Sequence, residues 1–166
     1  MQQTSERAHH LQSSLIRDVA EKGMQMQDIL PLWFGEGHWP TSQIAIEAAQ
    51  NALQAGDHFY QPNNGKPRLR SALAHYMNGL YSTTKTKQNI TVTASGMQGL
   101  ALAALALIDS GDRVVCIDPV WPNLGESFKI AGGQIDPTTL VARDGRWHLD
   151  MDQLLAKLTY KTKALL

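Results

Sequence analysis

The stretch that most constrains the fold of this chain runs from Thr91 to Leu100 and reads TVTASGMQGL. Ile90–Thr93 has the β-branched alternation of a short strand, Ser95-Gly96 interrupts it, and the apolar run Met97–Asp109 is typical of a helix inside a larger α/β core. A strand-turn-helix leaves the first N–H groups of the helix without intrahelical partners, at the positive end of the helix dipole. We therefore expect an anion site here, in which Gly96 permits close approach and the Ser95 hydroxyl donates to a phosphate. An ordinary turn with a strain-relieving glycine is the alternative.

A second strand follows this helix. Ser110-Gly111-Asp112 turns the chain into Val114–Ile117, an uninterrupted apolar run of the kind that is buried in parallel sheets. Two strands joined by one helix predict a right-handed βαβ unit. Asp118–Asn123 ends the second strand, and ligands of open α/β sheets bind at such carboxyl ends. We expect this loop and Ser95-Gly96 to face one site, on the same side of the sheet and at the ends of adjacent strands.

Further elements flank this unit. Pro40-Thr41-Ser42 predicts the start of a helix with a buried stripe ending near Leu53, and Pro67 predicts the start of another, with a buried face from Leu69 to Leu80 and solvated arginines at 68 and 70. Beyond the unit we expect a third strand (134–141), an Asp144-Gly145 turn, a capping box formed by Asp150 and Gln153, and a strand that begins at Ala164. A strand begun so close to the last residue predicts an unsatisfied sheet edge and a truncated chain.

Composition excludes several classes of function. Fifteen basic residues balance fifteen acidic ones, so no electrostatic footprint for nucleic acid or an anionic membrane is present. Cys116 is the single cysteine, which rules out an internal disulfide or a thiolate metal cluster and favours a cytoplasmic setting. The apolar run Leu100–Ile108 is too short to span a bilayer.

Taken together, the motifs from about Leu30 onward resemble the class I/II, fold-type I aminotransferases that depend on pyridoxal phosphate. They occur in the family's order: FGEG (34–37), Tyr60 followed by GKPRLRSAL (65–73), ITVTASGMQ (90–98), GDRV (111–114) and DPVWPN (118–123). Each motif alone is weak, but five in order over more than half of the chain are specific. The implied fold is one part of the family's large domain, α/β with βαβ units and a mainly parallel sheet, incomplete at the C-terminus. The implied division is an arm and glycine loop (1–40) and the first part of the cofactor domain (41–166).

The resemblance also implies roles for individual residues. Ser95, Gly96 and Met97 would hold the cofactor phosphate, and Trp121 would stack on the pyridine ring. Tyr60 would reach the phosphate of the neighbouring subunit's cofactor in a homodimer. Gly35 or Gly37 would lie along the substrate carboxylate, and the substrates would be an amino acid and a 2-oxo acid.

Other family features are expected to be missing. The family's Schiff-base lysine, its aspartate at the pyridine nitrogen, its asparagine near the ring oxygen and its carboxylate-binding arginine all come later than the strand that begins at Ala164. None of the eight lysines occupies the family's position. We therefore expect no catalytic residue for the covalent step in this chain, and no activity from it alone.

Two other classes of function fit parts of the sequence. A Rossmann-like nucleotide or S-adenosylmethionine binder would use Asp118, about 20 residues after the glycine turn, as its ribose ligand. However, Gly96 and Gly99 lack the first glycine of that fingerprint, and Pro119 and Trp121 would crowd a ribose. A cofactor-sensing or dimerisation domain of a regulator is the non-enzymatic alternative, although no DNA-binding segment precedes it.

Overall fold

The computed structural model describes residues 4–166, in which the strands all follow residue 112 and the preceding part is helical. The helices are α1 (Glu6–His9), α2 (Leu15–Gly23), α3 (Gln43–Gln54), α4 (Pro67–Tyr81), α5 (Gly96–Leu107), α6 (Pro122–Ile130) and α7 (Met151–Lys157), with a short 3-10 helix at Lys87–Asn89. The strands are β1 (Arg113–Asp118), β2 (Gln134–Thr139), β3 (Val141–Arg143), β4 (Arg146–His148) and β5 (Thr162–Leu165). None of the helices described is long and apolar enough to cross a membrane.

A parallel sheet of three strands organises the second half of the chain, in the order β2-β1-β5. Along β1 the register is continuous with β2, from Arg113 opposite Gln134 to Asp118 opposite Thr139. The central position of β1 explains its apolar run, because Val114, Val115 and Cys116 are buried. The prediction of a mainly parallel sheet with helices between its strands is thereby confirmed for the residues after 110. The strand β5 is the one expected to begin near Ala164.

The core lies where α5 and α6 cover this sheet. Ala104 and Ile108 pack there with Val114 and Phe128. A Cβ at Gly133 would stand 3.1 Å from Ile108, Val114 and the Phe128 carbonyl, so a larger residue in the turn after α6 would force these neighbours to shift by a few tenths of an ångström.

A tight hairpin joins β3 and β4. Asp144 and Gly145 both have positive φ angles, of 51° and 71°, as a two-residue type I′ turn requires. The hairpin predicted from Asp144-Gly145 is therefore confirmed. The helix-capping prediction is half right: Asp150 accepts the Gln153 N–H at 2.9 Å. The Gln153 side chain does not return to Asp150, because its Oε1 instead accepts from the buried Thr138 hydroxyl at 2.7 Å and the Thr139 N–H at 3.1 Å.

The described chain forms two compact units. One comprises the residues up to Trp33 together with Ser95–Leu166, and it holds both sheets; the other is Phe34–Ala94, with α3 and α4. The expected division of the chain at residue 40, into an arm with the glycine loop and the first part of the cofactor domain, stays a prediction.

The strand predicted at Ile90–Thr93 is wrong, since no ladder forms there. Ile90 has extended backbone angles, but no strand of the described residues lies beside it, and the Val92 N–H donates to the Asn64 carbonyl at 3.0 Å instead. The prediction that Arg70 is solvated is also wrong. Its guanidinium is partly buried and donates from Nε to the Ile90 carbonyl at 2.8 Å and from Nη2 to the Lys87 carbonyl.

The apolar helix faces are less covered than their patterns predict. In α3 no residue is buried, and in α4 only Ala74 is. In α5, which is apolar on nearly every side, Leu102, Leu105 and Leu107 are at least half exposed. Three of the helices therefore present apolar surface that the described residues leave uncovered.

Candidate functional site

The predicted anion site lies at the N-terminus of α5, a helix of 12 residues. Ser95 is its N-cap, with extended backbone angles, and its Oγ accepts the Gln98 N–H at 3.1 Å. A hydroxyl that accepts one hydrogen bond still carries a donor proton. The N–H groups of Gly96 and Met97 precede the first intrahelical acceptor, so the helix itself offers them no partner.

Space is available beside this turn. Ser95 and Gly96 are exposed, Met97 is half-buried, and a Cβ built on Gly96 would have no atom within 4 Å. An anion can therefore approach the backbone at Gly96 closely, where the helix dipole stabilises negative charge.

A second helix N-terminus lies at the carboxyl end of β1. Asp118 ends the strand, and Trp121 is the N-cap of α6, with Pro122 as the first helical residue. A proline is favoured at that position because its missing N–H is not needed there. The Trp121 side chain is 47% exposed, so its indole is not a core residue.

The two N-termini belong to neighbouring helices. Met97, in the first turn of α5, and Asn123, in the first turn of α6, line one cavity of about 220 Å³ together with Leu11 and Ile130. That Ser95-Gly96 and Trp121 face one site stays a prediction. The prediction that they follow adjacent strands fails, because residues 90–93 before Ser95 are not a strand of the sheet.

Charge near the end of β1 comes from Asp118. The Cys116 thiol donates to its Oδ1 at 3.8 Å. Burial raises the pKa of the Cys116 thiol, and the charge and the hydrogen bond of Asp118 raise this pKa further. Cys116 is therefore a protonated, packed thiol and not a nucleophile. No group of three or more potential metal-ligating His, Cys, Asp or Glu side chains occurs among residues 4–166.

The remaining predicted site residues lie in the other unit. Tyr60 is fully exposed on the loop between α3 and α4, next to Phe59, whose ring stacks on His58 with centroids 4.8 Å apart. Gly35 and Gly37 lie in a loop where an added Cβ would meet no atom within 4 Å. All three positions are open to a ligand or a second chain.

Comparison with known proteins shows the family of this chain. Residues 32–166 match the model of the family described as aminotransferase class I and II. The chain belongs to this family. That membership replaces the nucleotide-binding alternative.

Individual relatives extend the match to nearly the whole chain. An aspartate aminotransferase of Pyrococcus horikoshii is 32% identical over 162 residues, which are 97% of this chain and 41% of that protein. An aspartate/prephenate aminotransferase of Thermus thermophilus is 30% identical, over 99% of this chain and 44% of that protein. The solved structure of Thermus thermophilus aspartate aminotransferase with maleate superposes with a TM-score of 0.91 at 29% identity, again over 99% and 44%. The chain thus has the fold of the N-terminal part of these enzymes and spans under half of their length.

The family implies a pyridoxal phosphate cofactor, and the α5 turn fits its phosphate. Gly96 leaves room for a phosphate, Ser95 supplies a hydroxyl, and the first two N–H groups of α5 have no partner within the helix. Half-exposed Trp121, at the neighbouring helix N-terminus, offers a flat surface to an aromatic ring.

Sequence patterns did not reveal the cavity between α5 and α6 or the contacts of Arg70. Asn123 and Leu11 come together only when the N-terminal segment lies on α6, where Arg7 donates to the Ile130 carbonyl and the Gln12 N–H to Glu126. Local sequence carries no signal for such contacts, because the partners are more than 110 residues apart.

Proposed function

We propose that this chain is the N-terminal part of a pyridoxal phosphate-dependent aminotransferase, which moves an amino group between an amino acid and a 2-oxo acid. The observation that carries the proposal is the pairing of two helix N-termini, with Ser95-Gly96 beginning α5 and Trp121 beginning α6, beside a cavity that both helices line.

In this proposal Ser95, Gly96 and Met97 bind the cofactor phosphate through one hydroxyl and two backbone N–H groups. Trp121 stacks on the pyridine ring and excludes water from one of its faces; such aromatic contacts contribute about 0.5–1.5 kcal/mol beyond area burial. The bound cofactor supplies an electron sink at the substrate carbon, while these residues of the chain orient it.

Further residues act through a second subunit or toward the substrate. Tyr60, fully exposed on its loop, is suited to reach the cofactor phosphate of a partner in a homodimer. Gly35 and Gly37 leave room for a substrate carboxylate against the backbone. The relatives are named for aspartate, an amino acid, and for prephenate, a 2-oxo acid, and we propose substrates of these two classes for a cytoplasmic enzyme of amino acid metabolism.

A pair of isosteric variants tests the phosphate site. Ser95→Asp and Ser95→Asn both keep an N-cap acceptor, but only the aspartate places a negative charge at the phosphate. We expect Ser95→Asp to weaken pyridoxal phosphate binding by at least about tenfold relative to Ser95→Asn, because a charge-assisted hydrogen bond contributes about 1.5–3 kcal/mol. Binding is measured by equilibrium titration of the purified chain followed by cofactor absorbance.

Pyridoxal, which lacks the phosphate, is the control ligand and should bind both variants equally. Trp121→Leu should weaken both ligands, whereas Trp147→Leu, on the exposed β4 strand, should weaken neither. Equal binding of pyridoxal phosphate to Ser95→Asp and Ser95→Asn would contradict the phosphate assignment.

A further inference from the structure

The loop between α3 and α4 presents Tyr60 on an exposed tip. His58, Phe59 and Tyr60 are all exposed, the last of them fully, and the His58 and Phe59 rings stack on each other. The Gln61 side chain donates from Nε2 to the Phe59 carbonyl at 3.1 Å. Since no neighbour among residues 4–166 encloses the Tyr60 side chain, the backbone of this loop sets where its hydroxyl can reach.

The start of the loop is fixed to the C-terminal end of α3. The Gly56 N–H donates to the Leu53 carbonyl at 3.0 Å, and the Asp57 N–H donates to the Ala52 carbonyl at 2.9 Å. With Gly56 at a positive φ of 73°, these two hydrogen bonds are those of a Schellman motif. The backbone of Asp57 is therefore held at the end of the helix.

The end of the loop is fixed to the N-terminal end of α4. Lys66 is the N-cap of this helix, and its carbonyl accepts the Arg70 N–H at 3.0 Å. One residue earlier, the Gly65 N–H donates to the Pro62 carbonyl at 2.7 Å. The backbone of Lys66 is therefore held as firmly as that of Asp57.

An ion pair joins these two fixed ends. Lys66 Nζ donates to Asp57 Oδ2, nine positions earlier in the sequence. Each charge lies at the helix end that disfavours it, because the C-terminal end of α3 carries partial negative charge and the N-terminal end of α4 carries partial positive charge. Neither charge stabilises its own helix, so what the pair contributes is the closure of the loop.

We infer that Asp57 and Lys66 are positioning residues for Tyr60: their ion pair closes the loop and fixes the direction in which Tyr60 projects. The inference rests on the proposed function, in which Tyr60 reaches the cofactor phosphate of a partner subunit. A loop that is already ordered loses less conformational entropy when its tip is bound. Asp57 and Lys66 act through Tyr60 and do not themselves bind the cofactor.

Charge reversals in the full chain test the ion pair: Asp57→Lys, Lys66→Asp and the two combined. The readout is the ¹⁵N order parameter of the Tyr60 amide, which is about 0.85 for a rigid backbone and below about 0.6 for a flexible one. We expect each single reversal to lower it from the rigid toward the flexible value and the double reversal to restore it. Arg68→Asp, the same change of charge in the first turn of α4, is the matched control and should leave it unchanged.

The thermal unfolding midpoint separates this role from a general effect on folding. Each single reversal gives its helix end the charge that the dipole favours, so the midpoint should not fall although Tyr60 becomes more mobile. Because both side chains of the pair are partly exposed, with 36% and 47% of their surface accessible, 1 M salt should also loosen Tyr60 in wild type. Single reversals with the wild-type order parameter, or a double reversal as mobile as the singles, would overturn the inference.

Cofactor affinity in the homodimeric holoenzyme distinguishes this inference from the proposed function. Tyr60→Phe should lower the affinity for pyridoxal phosphate relative to that for pyridoxal about tenfold, as for loss of a hydrogen bond to a charged group. Each single reversal should lower the same ratio, and the double reversal should restore it. If Tyr60→Phe lowers the ratio and the single reversals do not, the inference fails and the proposed function stands. If Tyr60→Phe leaves the ratio unchanged, the proposed role of Tyr60 fails, and the inference with it.

Discussion

Gly65 shows why one position of a short sequence motif in this chain has to be a glycine. Gly65 belongs to the motif GKPRLRSAL, and the structure gives its physical reason: φ is +92° and Val92 fills the space that a side chain would need. Leu69 of the same motif is 44% exposed, so the spacing of apolar residues did not report burial there. The spacing of apolar residues indicates which face of a helix is apolar. It does not indicate whether that face is buried, because the residues that would cover it lie elsewhere in the sequence.

Gly65→Ala is predicted to destabilise the chain more than Gly56→Ala. Both positions have positive φ angles, of +92° and +73°, but an added Cβ at Gly56 meets nothing within 4 Å, while at Gly65 it meets Val92. We expect Gly56→Ala to cost about 1–2 kcal/mol for the left-handed backbone alone and Gly65→Ala to cost clearly more. Urea unfolding followed by circular dichroism measures the loss of stability in both variants. Equal losses would contradict the prediction, because they would show that Val92 moves aside at no cost in free energy.

At the scale of elements, ion pairs with one carboxylate connect β1, β2 and α7. Asp136 of β2 is bound by Arg113 of β1 and by Lys157 of α7, the latter at 3.1 Å. Burial acts to raise the pKa of Asp136, but the hydrogen bonds and charges of Lys157 and Arg113 outweigh it, so that the pKa lies below its usual value. The folded state therefore favours the ionised carboxylate.

This carboxylate makes stability depend on pH in the acid range. Because the folded pKa is depressed, its contribution is fully present above the unfolded pKa of about 3.9 and is lost as the pH falls through the folded value. We expect Asp136→Asn to lower the free energy of unfolding by about 1–2 kcal/mol at pH 7, with the difference from wild type shrinking below about pH 4. Glu21→Gln, on the exposed surface of α2, is the control. A difference that stays constant from pH 7 to pH 3 would contradict this origin of the stability.

Turns, helix caps and strands could be predicted from the sequence where they depend only on neighbouring residues. The type I′ turn at Asp144-Gly145, the N-cap at Asp150 and the buried run of β1 each depend on neighbouring residues, and the structure has them. Ile90–Thr93 has a strand's composition but no pairing partner, and pairing is not a local property. The prediction that Gln153 completes a capping box is wrong, because its side chain accepts a hydrogen bond from the buried Thr138 hydroxyl, 15 residues away.

At the scale of the molecule, the chain spans 41–44% of the length of the three proteins compared above, and several of its helices have exposed apolar faces. Leu102, Leu105 and Leu107 of α5, and Ile44 and Leu53 of α3, are at least half exposed. Such surfaces are typical of faces that a larger protein covers. The pattern of α5 thus predicted a core larger than these 166 residues supply.

The 166-residue chain, assayed alone, is predicted to have no transaminase activity. In the family that the sequence resembles, the Schiff-base lysine comes later than Ala164, and we expect none of the eight lysines here to replace it. Mixing the chain with pyridoxal phosphate, reducing with borohydride and mapping the peptides measures any covalent attachment. Stoichiometric labelling of one lysine, together with turnover of an amino acid and an oxo acid, would contradict this prediction.

We propose that this part of the family's fold binds the cofactor phosphate and the pyridine ring without the rest of the protein. A ¹H–¹⁵N correlation spectrum of the chain titrated with pyridoxal phosphate tests this. We expect saturable shifts of the Gly96 and Met97 amides and of the Trp121 indole N–H, with inorganic phosphate shifting the two amides but not the indole. Saturable binding that leaves all three resonances unmoved and shifts others would contradict it.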